Sequence, residues 1–128
     1  MKLLLDTHAF LWLMRNDKRL SETAKAAFSD KDNELFFSAA SYWEICIKQS
    51  LGKLALSADW QATIDRELAA NQIKWLDIAK VHCQGVVYLP MLHRDPFDRL
   101  LIAQARAEGM VLLTNDNDIG KYKITTLW

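Results

Sequence analysis

The chain has 128 residues, of which 51% are apolar and 25% charged, with only four Gly and two Pro, which suits one ordinary globular domain spanning residues 1–128. Sixteen basic residues balance sixteen acidic ones, so the net charge is zero and phosphate binding by bulk positive charge is excluded; a nucleic-acid role would need local positive charge or a bound metal. No apolar run approaches the roughly 20 residues needed to cross a bilayer, and Leu3-Leu4-Leu5 is too short for a secretory leader, which places the protein in the cytoplasm.

Leu3-Leu4-Leu5 reads as a strand buried on both faces, ending in Asp6-Thr7 and followed by a helix carrying Phe10, Leu11, Trp12 and Met14. Ser21 is placed to cap a second short helix containing Ala24, Ala27 and Phe28. Leu35-Phe36-Phe37 is the second strand. It leads through Ser38-Ala39-Ala40-Ser41 into a helix closed by Gly52. Trp60, Ile64 and Leu68 recur at four-residue spacing, which predicts an amphipathic helix over 57–70. A third strand is expected over 73–78 and a helix over 79–89, broken at Leu89-Pro90. Asp95-Pro96 opens the next helix, with proline at its first position, and that helix runs to Gly109. Met110–Leu113 and Ile124–Trp128 are the remaining strands. Cys46 and Cys83 lack a CxxC spacing and lie among apolar residues, so they read as buried thiols without a redox role.

Strands alternating with helices point to a parallel α/β sheet. In such sheets the carboxyl ends of strands and the N-termini of the following helices share one edge, where ligands bind. Asp6, Glu44, Asp98 and Asp116 all fall at such junctions. Each has a structural alternative. Ser41-Tyr42-Trp43-Glu44 has the spacing of a capping box, which would put Glu44 in the first helical turn. Asp95 reads as a helix cap, Asp6 as a cap for the helix near His8, and Asn115 to Asp118 as turn residues. Together, four carboxylates on one edge repel each other and call for a cation. All-carboxylate sites suit Mg²⁺ or Mn²⁺ rather than zinc. His8, His82 and His93 show no ligand spacing, and His8 is expected to pack or face solvent. Lys48 and Arg99 lie beside the acids and could contact phosphate; Lys48 could equally form an i,i+4 pair with Glu44.

Several segments resemble PIN-domain ribonucleases of the VapC toxin type. They are Leu3-Leu4-Leu5-Asp6-Thr7-His8, Ser41-Tyr42-Trp43-Glu44-Ile45 with Leu51-Gly52-Lys53-Leu54, the stretch from His93 to Ala105 that includes Asp95-Pro96-Phe97-Asp98-Arg99, and Leu113-Thr114-Asn115-Asp116. The resemblance covers essentially the whole chain in order. It implies a PIN-like α/β/α sandwich with a central, mostly parallel sheet of about five strands. It implies a Mg²⁺- or Mn²⁺-dependent endoribonuclease that hydrolyses RNA, the toxin of a toxin–antitoxin pair. A VapB-type antitoxin with a DNA-binding part would wrap it, and homodimers are common in the family. Carried over, Asp6 and Asp98 would be direct metal ligands, with Glu44 and Asp116 binding directly or through water. Thr114 would orient the site, and Asp118 would share or replace the role of Asp116. Phe10, Trp12 and Trp43 border this edge and would either line the antitoxin groove or pack in the core. Two other readings stand beside it: a phosphate-signalling receiver-like domain, and a catalytically silent PIN-like binding protein. The receiver reading would favour paired acids after the first strand, where Asp6 stands alone.

Overall fold

The computed structural model describes residues 1–128. Its sheet has five strands, β1 (Lys2–Leu5), β2 (Glu34–Ser38), β3 (Lys74–Leu76), β4 (Val111–Leu113) and β5 (Thr126–Leu127), ordered β3-β2-β1-β4-β5. Every pairing is parallel. Seven helices flank the sheet: α1 (Thr7–Arg15), α2 (Glu22–Ser29), α3 (Ala39–Ser50), α4 (Trp60–Ala70), α5 (Lys80–Val87), α6 (Pro96–Glu108) and α7 (Asn117–Gly120). None is long and apolar enough to cross a membrane.

The continuous apolar run of β1 follows from its central place, covered on both faces. Leu3 and Leu5 point into one cluster with Phe10 of α1, Ala24 of α2, Ile45 of α3 and Ile64 of α4. Leu4 points the opposite way, onto Leu101, Ile102 and Ala105 of α6. Two cores therefore sandwich one sheet. Leu3, Leu4 and Leu5 are at most 1% exposed, and truncating such a leucine to alanine costs roughly 2–5 kcal/mol. Gly85 lets α5 close on α6, since a Cβ there would lie 3.3 Å from the Cβ of Ala103.

Helix ends follow local chemistry. Asp6, Ser21, Asp95 and Asp116 each cap a helix N-terminus through a side-chain oxygen. Gly109 ends α6 in the left-handed region at φ +64°, where glycine is unstrained. Short α7 has no apolar periodicity to announce it, so its start at Asn117 has only the turn residues Asn115 to Asp118 as a sequence signal. Two sequence expectations are corrected here. Cys46 is half-buried and Cys83 exposed, because α5 turns Cys83 outward while His82 faces inward. The helix after β2 starts at Ala39, not after Ser41. The Ser38 hydroxyl accepts from the Ala40 N–H at 3.0 Å, so helix follows strand without an intervening loop.

Candidate active site

Asp6 stands immediately beyond the apolar strand β1, its backbone N–H held by the Leu113 carbonyl at 3.1 Å. Oδ1 accepts from the Ala9 N–H at 2.9 Å and so caps α1. Oδ2 accepts a short hydrogen bond from the Thr114 hydroxyl at the end of β4. Thr114 Oγ1 in turn accepts from the Asp116 N–H at 3.1 Å. Burial pushes the Asp6 carboxyl above the usual carboxylate range, opposed by the Thr114 and Ala9 hydrogen bonds.

The early start of α3 places Glu44 in the second turn, not the first, so the capping-box expectation fails. Ser41 lies inside the helix with its hydroxyl buried and unpaired. The Glu44 side chain is only 4% exposed. Oε1 accepts from the Thr7 hydroxyl at 2.7 Å and Oε2 from Lys48 Nζ at 2.6 Å. Thr7 is the residue after Asp6, so this bond ties α3 to the end of β1. Lys48 thus forms the i,i+4 pair, at the rim of the same edge.

Asp98 lies in the first turn of α6, which Asp95 caps by accepting from the N–H groups of Phe97 and Asp98 at 2.9 and 3.0 Å. Burial, then the Asp95 charge, pushes the Asp98 carboxyl up to about 7; Asp116 and Asp6 add repulsion, while a His93 hydrogen bond opposes the rise. Three acids thus sense one another electrostatically. His93 Nε2 lies 3.2 Å from Asp98 Oδ2, and His93 Nδ1 lies 2.8 Å from the Tyr122 hydroxyl. Arg99 Nη1 donates to that hydroxyl at 2.9 Å. A neutral His93 protonated on Nε2 satisfies the whole chain: Arg99 donates to Tyr122, Tyr122 to Nδ1, and Nε2–H to Asp98.

Asp116 caps α7 through the Asp118 N–H at 2.8 Å and remains close enough to raise Asp98. Asp118 turns outward to Lys121 Nζ at 2.9 Å, and that bond holds its carboxyl below the usual range. The edge therefore gathers Asp6, Asp98 and Asp116, with Glu44 joined through Thr7, while Asp118 faces away. Arg99, expected beside phosphate, is buried and donates to the carbonyls of Pro90 and Val86 at 2.9 and 3.4 Å. One residue along a helix is about 100° of rotation, which turns Arg99 from the acids into the α5 side. Phe10 is core, against Phe37 at 4.3 Å. Trp43 is 57% exposed and packs edge-on against Phe97 at 5.4 Å.

Thr7, His93 and Tyr122 were missed as site partners. Only the position of Thr7 beside Asp6 and of His93 within the His93–Ala105 stretch hinted at them. The donor set is carboxylate and hydroxyl oxygen, and two of its acids resist ionisation, so a hard divalent cation fits it. As the side chains stand they form no closed three-ligand cage. Mg²⁺ needs none, because it keeps several waters and binds through one or two carboxylates.

A parallel α/β sandwich with an acidic cluster at the carboxyl edge of its central strands is the architecture of a PIN domain. The chain belongs to that family: the PIN domain model matches residues 3–124. It is 28% identical over 132 residues to a protein named Ribonuclease VapC22 from Mycobacterium tuberculosis, covering 94% of this chain and 91% of that one. VapBC2 from Rickettsia felis, solved bound to a DNA fragment from its promoter, matches with TM-score 0.75 at 16% identity over 98% of this chain and 97% of that chain. DNA-bound VapBC from Salmonella typhimurium gives 0.71 at 14%, covering 98% and 96%. These structural likenesses establish the shared fold. The receiver-like reading falls with the family match.

Proposed function

We propose that residues 1–128 form one nuclease domain, a Mg²⁺- or Mn²⁺-dependent endoribonuclease that acts in the cytoplasm as the toxin of a toxin–antitoxin pair. The observation that carries this reading is the gathering of Asp6, Asp98 and Asp116 on one sheet edge, where burial and then the Asp95 charge, with smaller repulsion from Asp116 and Asp6, push the Asp98 carboxyl up to about 7. The relative named as a ribonuclease supports the reaction, and the VapBC likenesses support a VapB-type antitoxin as partner; a homodimeric toxin is what the family resemblance implies.

In this reading Asp6 and Asp98 hold the metal, with Glu44 and Asp116 binding directly or through water. Thr114 fixes the Asp6 carboxylate and His93 fixes that of Asp98. Thr7 and Lys48 hold Glu44. Lys48 is 37% exposed, so its ammonium also faces the approach of a phosphate oxygen. The bound ion would lower the pKa of a water for attack on phosphorus and neutralise charge on the departing oxygen.

The test uses purified protein freed of any partner and a single-stranded RNA. Cleavage is expected with Mg²⁺ or Mn²⁺, lost in EDTA and restored by added metal. Asp6→Asn and Asp98→Asn should each lose at least about 100-fold in rate, the scale of several kcal/mol of charge stabilisation, with circular dichroism unchanged. Full activity in either variant sinks the mechanism.

A further inference from the structure

The indole of Trp43 has a place that core packing does not account for. Trp43 is the most exposed of the five tryptophans, and within α3 only it and Ser50 are exposed. Its neighbour Phe97 is half-buried, and neither ring belongs to either core. The two meet edge-on at 5.4 Å and so brace each other between α3 and α6.

Their positions in the chain tie the pair to the acids from both sides. Trp43 immediately precedes Glu44 on α3, and Phe97 immediately precedes Asp98 on α6. Each ring thus springs from backbone about 3.8 Å from that of an acid. Both stretches lie at the carboxyl edge of the sheet: α3 follows β2 without a loop, and Phe97 and Asp98 stand in the first turn of α6. One oxygen of Asp95 accepts from both their N–H groups, at 2.9 and 3.0 Å, so ring and carboxylate share an anchor. Their spacing is therefore fixed before any ligand arrives. Asp98 keeps part of its carboxyl in water, so at the start of α6 ring and acid are reached from solvent one residue apart.

We infer that Trp43, braced by Phe97, is a stacking platform for a base of single-stranded RNA next to the phosphate held at the acids. This rests on the ribonuclease reading and adds to it what grips the strand. Stacking on an aromatic ring serves every base, because each has a π-face. It also suits this chain, whose zero net charge offers no general pull on phosphate. The platform supplies affinity rather than sequence choice, since stacking reads no base edge. A protein partner fits the spot less well. A standard interface covers about 800 Å² per side, whereas the next large exposed apolar side chain along α3, Leu51 at its far end, lies about 12 Å away along the axis.

The test compares two probes that carry the same number of phosphates. Fluorescence anisotropy in Mg²⁺ follows a cleavage-resistant 2′-O-methyl RNA oligonucleotide and an abasic oligonucleotide of equal length. Trp43→Ala should weaken binding of the base-bearing strand about tenfold, the scale of one lost stack. It should leave the abasic strand's affinity and the salt dependence of binding unchanged. Trp43→Phe should recover most of the loss, with circular dichroism matching the wild type in both variants. Unchanged binding of the base-bearing strand by Trp43→Ala, an equal loss on both strands, or no RNA binding by the wild type overturns the platform. So does a wild-type dimer that Trp43→Ala converts to a monomer in light scattering, because a second copy would then cover the indole. Base-dependent binding through Trp43 without cleavage of ordinary RNA would instead overturn the nuclease reading and leave the platform standing.

Discussion

Replacing Asp98 by asparagine should stabilise the metal-free protein, and only above mildly acidic pH. In the unfolded chain this carboxyl ionises near its ordinary value of 3.8, whereas in the fold it keeps its proton until about 7. Between those values the folded state binds the extra proton, so stability is full below about 4 and falls as pH rises through 7. Some three units at about 1.36 kcal/mol each would give about 4 kcal/mol. Part of the carboxyl remains in water, and solvent screening reduces the effect to about 2 kcal/mol. Asparagine stays neutral, keeps the shape and can still accept from His93. The variant should therefore melt with the wild type at pH 4 and about 6–10 °C higher at pH 8 for a chain of this size. Differential scanning fluorimetry in EDTA across pH 4–8 reads the difference directly. Added Mg²⁺ should raise the wild-type melting point and leave the variant's unchanged. Equal melting at pH 8, or a variant less stable at every pH, would refute the reasoning, because it would mean the free fold already favours an ionised Asp98.

Thr7→Val keeps the side-chain shape but strips Glu44 of its 2.7 Å donor; it should cost about 1–2 kcal/mol in thermal unfolding and lower the cleavage rate, while Thr7→Ser restores both. A neutral valine would show that Glu44 is held by Lys48 alone. Arg99→Leu leaves buried carbonyls and the Tyr122 hydroxyl without their donor, so its urea midpoint should drop by the equivalent of about 2–4 kcal/mol. An unchanged midpoint with lost RNA binding would instead make Arg99 a phosphate contact.

What the sequence discloses is the part set by local pattern. The uninterrupted apolar run of Leu3–Leu5, the Asp95-Pro96 start of α6 and the glycine at 109 each state their conformation in neighbouring letters, and the parallel sheet follows from their alternation. Side-chain direction within a helix is harder. Ser41 has capping spacing to Glu44, yet Ser38 caps instead, because strand β2 passes straight into helix and its hydroxyl is already anchored to Gln104 at 2.6 Å. Arg99 and Cys83 fail for the same reason in opposite senses: one residue of rotation carries a guanidinium inward and a thiol outward. The choice between Asp116 and Asp118 depends on Lys121, which draws Asp118 aside. His93 owes its role to Tyr122, 29 positions later, and no local periodicity carries that distance.

The bond between Thr114 and Asp6 spans 108 positions of chain. Asp6 belongs to the first strand made, and that strand occupies the middle of the sheet, where it must wait for β4 to complete its flank. Contacts of such sequence separation form late and slowly, because loop closure comes before the reward. A growing chain on the ribosome would hence carry Asp6 through most of synthesis without the Thr114 hydroxyl that fixes its carboxylate. The acidic edge is therefore completed as a single late event, set by the arrival of β4 beside β1.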